Sequence, residues 1–456
     1  MSGLAGFLKN ALALGIVRPP KDENGLMLIG DSTTNQNTTQ NLGLNLGYEL
    51  IERANGYAIW MNALLKEKRF DRLYNYGISG RRAWQCVIAP GQPNYSPDND
   101  IDLMLAACPA YDVLLALGIN DMVESEGRTA TMVIADITAI ATKIKNAGRR
   151  LTIVPIPPRR IADTLWTTAV QQKALRVNAA LKKLSAQTGY GFVPTAEAVT
   201  DYSVTAAFES PATTGRCLYD NVHQNSYGAF RQGLVLADYY SQLRPYRPLP
   251  TPTHFIDDSS ADGSNLNLLD NPMFNGSTGY TLPTVAGLIS AVSTAVVAAP
   301  DGVGNALQID ISVSAATTIT LFYAAWDNSP ALVAGDTILP LAKIKVEASG
   351  GGGAPTGLRA VGLSGRYASQ NGDFKNAEIG CLIGTNSNDW PVDRALDLFV
   401  MPTAAFVVTG NEVLGLNNYL RCMAEFTGPG SARFIISSCG ILKNMSYYDD
   451  PLVPWK

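Results

Sequence analysis

Histidine is the scarcest chemistry-bearing residue in this chain: 456 residues hold two, His223 and His254. No Cys/His spacing fits metal ligation, so neither a metal nor another cofactor is expected. Charge is thin as well. Charged residues make up 16% of the chain, the net charge is −4, and there is no basic run. That leaves no case for nucleic acid or an anionic membrane surface as a partner. No apolar stretch is long enough to span a bilayer. The six cysteines divide into Cys86, Cys108 and Cys217 before a proline-rich stretch and Cys381, Cys422 and Cys439 after it. An odd number on each side argues against a disulfide framework and for free, mostly buried thiols.

What is present is a globular composition, 46% hydrophobic over 456 residues, long enough for two or three domains. The opening segment, MSGLAGFLKNALALGIVRPP, has one Lys and a short apolar stretch but no small-x-small cleavage site. It reads as a short amphipathic helix that packs on the body or on a partner, and not as a secretory signal. Without a signal, the expectation is that the protein acts inside the cell, is carried on a virion, as in a phage tail, or leaves the cell by an indirect route.

The two histidines are not equivalent. His254 lies in TPTHFIDD and reads as linker, whereas His223 follows Asp220 by three residues. An Asp-x-x-His pair can set a carboxylate against imidazole Nδ1, which fixes the tautomer and frees Nε2 to act as a base. Alone, such a pair is more often structural. Three upstream segments change its weight. LMLIGDSTTNQN (26–37) runs from an apolar stretch into Gly-Asp-Ser, YNYGISGRRAW (74–84) into Gly-x-Ser-Gly, and VLLALGINDM (113–122) into Gly-x-Asn-Asp. Taken singly, each has a plain reading. Asp31 or Ser32 caps a helix, Gly77 and Gly80 permit a turn, and Asn120-Asp121 is a strand-to-helix loop. Together they offer a hydroxyl, a base, an orienting carboxylate and fixed donors for an oxyanion.

Ser, Gly, Asn and His blocks in this order resemble the SGNH/GDSL hydrolase family over roughly residues 24–245. The resemblance implies a flavodoxin-like, three-layer α/β fold and a serine esterase. It implies Ser32 as nucleophile, with Asp220 and His223 as its partners. Ser32, Gly80 and Asn120 would form the oxyanion hole. Gly77 shares the second block, but the Ile-Ser-Gly pattern favours Gly80. Thr33 stands where the family's name-giving motif has Leu, at a position that holds no catalytic atom. Arg81, Arg82 and Trp84 follow the second block closely. Arg81 and Trp84 are candidates for holding substrate by charge and stacking, with solvated loop positions the alternative.

The pattern along the chain supports that fold independently. Apolar runs at 26–29, 73–76, 113–117 and 151–156 alternate with helix-like segments at 131–147 and 169–186. Such alternation argues for a parallel sheet with helices on both faces, whose ligands sit beyond the carboxyl ends of the strands. Ser32, Gly80 and Asn120 each follow such an end. We therefore expect an N-terminal extension (1–23), a hydrolase domain (24–245), a Pro/Asp/Ser-rich linker (246–265), an all-β sandwich (266–447) and a tail (448–456). The last third is rich in Thr, Val, Ala, Ser and Gly, with short strand-like runs such as ALQIDISV and ARFIISSCGIL. Its opening, NLLDNPMFNGSTGY, resembles the start of carbohydrate-binding jelly-roll modules of phage tail spikes and glycan-active enzymes. Trp326, Tyr367 and Trp390 are the candidate sugar platform, with core aromatics the alternative.

Two functions follow. The first is an esterase that removes short acyl groups, O-acetyl above all, from a polysaccharide. Lipase, lysophospholipase and thioesterase chemistry are its relatives on the same fold. The second is a tail-type adhesin in which glycan binding is the main role. An acylated carbohydrate is the expected partner in either case, with a homo-oligomer, a trimer for a tail spike, as the expected assembly.

Overall fold

In the computed structural model the described residues are 22–37, 39–41, 50–53, 55–70, 72–123, 127–160, 163–203, 208–211, 216–244, 274, 280–300, 304–325, 333–369, 374–377, 379–383, 394–400, 406–407, 412–413 and 419–443. Residues 1–21 of the N-terminal extension, the 246–265 linker, the tail, Trp326 and Trp390 lie outside them, as does the side chain of Tyr367, whereas residues 22 and 23 begin the first strand. The chain divides into two compact units. One comprises residues 1–36 and 70–223, the other residues 37–69 and 224–456.

The first unit is built on five parallel strands: β1 (Asp22–Gly30), β2 (Arg72–Gly77), β3 (Ala110–Ala116), β4 (Arg150–Ile153) and β5 (Gly191–Phe192). Their order across the sheet is β2-β1-β3-β4-β5. That is the flavodoxin-like doubly wound order, whose switch point lies between β1 and β3. Residues 25–30 of β1 pair with 72–77 of β2, and residues 26–30 pair with 112–116 of β3. Gly30 is therefore level with Gly77 on one side and Ala116 on the other. Leu26, Met27, Leu28 and Ile29 are all fully buried, so both faces of the central strand are covered, as the unbroken apolar run foretells. The short β5 carries no apolar run that sequence could register.

Among the described residues of this unit the α-helices are α1 (Ser32–Asn35), α2 (Ile101–Ala107), α3 (Ala130–Asn146) and α4 (Thr168–Thr188). Their starts are written in the sequence. The Asp100 carboxylate accepts from Asp102 and Leu103 N–H, Thr129 Oγ1 from Met132 N–H, and Thr167 Oγ1 from Val170 N–H. The apolar face of α3, Val133, Ile137, Ile140, Ala141 and Ile144, joins Met27, Ile29, Val113, Leu115, Leu151 and Ile153 of the sheet and the buried side of α4 in one cluster. One charge is taken into the sheet. Asp112 is fully buried and accepts from Arg150 Nε at 2.5 Å and Nη2 at 2.7 Å across the β3–β4 pair, a two-pronged match that offsets its desolvation.

The second unit is dominated by a large sheet whose C-terminal strands pair antiparallel. Its spine is the 25-residue strand Tyr419–Lys443. Residues 419–426 pair with Thr317–Ala325 and Thr356–Ser369, whereas residues beyond 430 pair with Asn305–Val313 and Thr337–Glu347. The exchange of partners falls at Gly428-Pro429-Gly430, where Pro429 has no N–H to give a ladder. Strands that change partners at such bends turn the corners of sandwiches. Phe434 lies between Ile309 and Val346, and Ile436 between Leu307 and Ile344, an apolar ladder three strands wide. On the opposite face Arg433 meets Asp310 at 2.9 Å. Residues 39–41 and 50–53 pair with each other and enter this sheet through Ile379–Ile383. Helices Tyr57–Leu65 and Ser226–Leu243 also belong to this unit, and Trp60 meets Phe230 edge-to-face at 5.4 Å.

Cys86, Cys108, Cys217, Cys422 and Cys439 are free and buried, and burial pushes the Cys86 thiol up to about 12. Among the described residues no helix is long and apolar enough to cross a membrane.

This core makes a direct prediction. Leu115 is 1% exposed and Leu175, on α4, is 47% exposed. Leu115→Ala should lower the unfolding free energy by about 2–5 kcal/mol, and Leu175→Ala should change it by less than about 0.5 kcal/mol. Urea unfolding followed by fluorescence measures both.

Candidate functional site

The carboxyl ends of β1, β2 and β3 each lead into one of the sequence blocks. Gly30 ends β1, and Asp31 then caps α1, its Oδ1 accepting from Thr33 N–H and Oγ1, both at 2.9 Å. This fixes Ser32 as the first residue of a one-turn helix directly above the sheet. The cap expected at this position and the candidate nucleophile are thus neighbours, Asp31 capping and Ser32 bearing the hydroxyl.

Ser32 Oγ lies 2.8 Å from His223 Nε2, and His223 Nδ1 lies 2.7 Å from Asp220 Oδ2. The loop holding the latter pair is wound on a single carboxylate. Asp220 Oδ1 accepts from the N–H groups of Val222 and His223, both at 2.7 Å, while Oδ2 faces the ring. Burial pushes the Asp220 carboxyl up, but the His223 ring and these two N–H groups outweigh it and hold the carboxyl below its ordinary value. Arg160 N–H, donating to Asn221 C=O at 3.1 Å, secures the loop from β4's side of the sheet.

The second block is tied to the first at several points. Ile78 N–H donates to Gly30 C=O at 3.2 Å, and Asn75 Nδ2 donates to Thr34 C=O at 3.2 Å while its Oδ1 accepts from Gly77 N–H at 2.8 Å. The two glycines have separate reasons. A Cβ on Gly77 would stand 2.3 Å from the Asn35 backbone nitrogen, so Gly77 lets β2 run against α1. Gly80 has φ +79 with nothing within 4 Å of a Cβ, a left-handed turn at an exposed position.

Asn120 and Asp121 close the third block onto the second. Asn120 Nδ2 donates to Arg81 C=O at 3.0 Å, using one of its two hydrogens. Ala83 N–H donates to Asp121 Oδ2 at 2.9 Å. These two bonds straddle the residues that follow Gly80. Asp121 is fully buried, and burial raises its carboxyl to about 6. Asp31 is likewise raised to about 6 by burial, with the Thr33 hydrogen bonds and the nearby His223 and Arg81 opposing.

Arg81 does not suit the substrate-holding role expected of it. It is 2% exposed, and its guanidinium donates to Asn99 Oδ1 at 2.9 Å, to Asp98 C=O at 2.6 Å, to Gly30 C=O at 3.3 Å and to Tyr76 C=O. It fastens the ends of β1 and β2 to the following loop. A polar, charged type beside a glycine-rich block reads as solvent-facing in sequence; only the fold supplies the buried carbonyls that claim it. Trp84 is half-buried in a short 3₁₀ helix, Ala83–Val87. Asn75, Asp121, Gln36 and Tyr219 were not legible as site residues, although Asn75 and Asp121 adjoin the motif blocks. Among the described residues no group of three or more His, Cys, Asp or Glu could hold a metal ion.

Residues 28–229 match the GDSL-like lipase/acylhydrolase family model. That segment is a GDSL-like acylhydrolase domain, and the family's chemistry is ester hydrolysis. Solved structures similar to the chain include Est24, a carbohydrate acetylesterase from Sinorhizobium meliloti, at 16% identity, 48% of this chain, 99% of that one and TM-score 0.36. An aryl esterase from M. smegmatis aligns at 16% identity, with 48% and 99% coverage and TM-score 0.35. No curated protein matches the chain.

The raised carboxyls set a pH dependence of stability. Asp31 and Asp121 bind a proton more tightly folded than unfolded, so stability falls as pH rises from their ordinary 3.8 through about 6. Asp31→Asn keeps an oxygen for the Thr33 cap and removes one of the two titrations. The slope of unfolding free energy against pH in this window should become shallower by up to about 1.4 kcal/mol per pH unit. Urea titrations at half-unit pH steps measure the slope.

Proposed function

We propose that this chain is a serine esterase that removes short acyl groups, O-acetyl above all, from a polysaccharide. The observation that carries the reading is the unbroken contact from Ser32 Oγ to His223 Nε2 (2.8 Å) and from His223 Nδ1 to Asp220 Oδ2 (2.7 Å). A hydroxyl is a poor nucleophile at neutral pH, and a neutral imidazole at this distance supplies the missing base.

With Nδ1–H donated to Asp220, Nε2 takes the Ser32 proton as Oγ attacks the acyl carbon. Charge then develops on the carbonyl oxygen. Under this reading the N–H groups of Ser32 and Gly80 and the second hydrogen of Asn120 Nδ2 receive it. Collapse expels the sugar alcohol, which takes its proton from Nε2, and leaves Ser32 acylated. Water then attacks the acyl-serine, losing a proton to Nε2; collapse breaks the bond to Ser32 Oγ, which takes that proton back as the carboxylic acid departs. Asp220, held below its ordinary value, stays ionised throughout and stabilises the imidazolium.

The polysaccharide assignment rests on the strand-rich C-terminal third and on the module-like opening NLLDNPMFNGSTGY. Under this reading residues 24–245 carry out hydrolysis, 246–265 link, and 266–447 hold the polymer.

Ser32→Ala and His223→Ala should each lower kcat on p-nitrophenyl acetate by about 10⁴–10⁶-fold with the fold intact. Asn120→Ala should lower kcat by about 10²–10³-fold with little change in KM. Near-wild-type turnover by Ser32→Ala overturns the esterase reading. Acetate release across a panel of acetylated polysaccharides, set against longer acyl esters, tests the substrate class.

A further inference from the structure

One aromatic side chain lies against the candidate base without belonging to any motif block. Tyr219 immediately precedes Asp220, and its ring is stacked on the His223 imidazole, centroids 5.8 Å apart and planes 18° from parallel. Its backbone N–H donates to His223 C=O at 3.0 Å, which closes the loop that carries both residues. Its hydroxyl accepts from Gln36 Nε2 at 3.3 Å. Gln36 is the residue that ends α1, the one-turn helix begun by Ser32. Tyr219 therefore touches the nucleophile's helix with its hydroxyl and the base with its ring face.

The geometry around His223 leaves that contact a task. Asp220 fixes one edge of the imidazole through Nδ1, and Ser32 meets the opposite edge at Nε2. Both contacts lie in the ring plane. The ring's remaining freedom is torsion about Cβ–Cγ, which swings Nε2 out of line with Ser32 Oγ as the proton moves and is opposed at the ring only by these two in-plane contacts. A parallel aromatic face resists it, and the same π face favours the imidazolium that forms when the proton arrives. The His223 side chain is 26% exposed, so solvent offers no such restraint.

We propose that Tyr219 is a positioning residue: its ring face holds the His223 imidazole in the plane that joins Asp220 to Ser32. The ring, and not the hydroxyl bond to Gln36, performs this role. The inference rests on the reading of His223 as the base, and it assigns no contact with substrate to Tyr219.

The test uses the full chain and four variants: Tyr219→Phe keeps the ring, Tyr219→Leu and Tyr219→Met remove it while filling its volume, and Ser32→Ala serves as the reference. Two readouts are taken. The first is kcat and KM on p-nitrophenyl acetate. The second is the downfield Nδ1–H resonance of His223 in protein labelled with ¹⁵N-histidine. With only two histidines in the chain, His254→Asn leaves a single ring to observe.

Tyr219→Phe is expected to keep kcat within about 2-fold and to keep the resonance. Tyr219→Leu and Tyr219→Met are expected to lower kcat by about 10-fold or more at unchanged KM, the scale of a displaced catalytic group, and to broaden the resonance. Unchanged kcat and resonance in whichever of the ring-less variants folds overturns the proposal. An equal loss in Tyr219→Phe overturns it in favour of the hydroxyl link. A loss confined to KM overturns it in favour of substrate contact. Full activity in Ser32→Ala would sink the esterase reading separately, because the resonance depends only on Asp220, His223 and the ring beside them.

Discussion

Everything at the candidate site hangs on β1 being hydrogen-bonded in parallel to β2 on one side and β3 on the other. Parallel pairing with Gly30, Gly77 and Ala116 in register brings three chain ends out of the sheet at one level, side by side. The loops that follow must then compete for the same few ångströms. Gly77 is bare because the Asn35 backbone already occupies the place of its Cβ. The switch in strand order between β1 and β3 opens the crevice in which α/β sheets hold their ligands.

The loops are held by buried hydrogen bonds to charged groups, and each is answered by geometry. Arg81 spends its guanidinium on carbonyls from the ends of β1 and β2 and on the Asp98–Asn99 turn. Asp121 receives the Ala83 N–H, and Asp31 receives both the N–H and the hydroxyl of Thr33. Burial lifts the carboxyls of Asp31 and Asp121, whereas Asp220, at the solvent-facing end of the arrangement, is held down by three donors. The division is physically sensible. The two raised carboxyls sit where they cap and clamp. The lowered one faces an imidazole, where a permanent negative charge helps a cation form.

Much of this was legible in the sequence, and the reasons differ by residue. Strands β1 and β3 were legible because unbroken apolar runs suit a sheet covered on both faces, and β2 and β4, interrupted by Asn75 and Thr152, from shorter strand-like runs. Helices α3 and α4 were legible as helix-like segments alternating with the apolar runs, whereas their caps at Thr129 and Thr167 came from the structure. Ser32, Gly80, Asn120, Asp220 and His223 were legible as a set because four ordered blocks constrain one another more than any one does. β5 was not, since two residues carry no pattern. The entry of residues 39–41 and 50–53 into the large sheet was not legible either, because a pairing partner more than 300 positions away leaves no local trace.

The sequence by itself determined where strands end, which residues follow them and which side chains carry chemistry, since those depend on local pattern and residue type. Tertiary structure alone decided which of these groups meet. It turned Arg81 inward to carbonyls that no neighbouring residue supplies. It separated the packing role of Gly77 from the turn at Gly80. It also laid the Tyr219 ring on His223, a contact between two residues four apart that a straight strand would hold roughly 13 Å from each other. Such contacts depend on the path of the chain in space, and a path is fixed only when every element has packed.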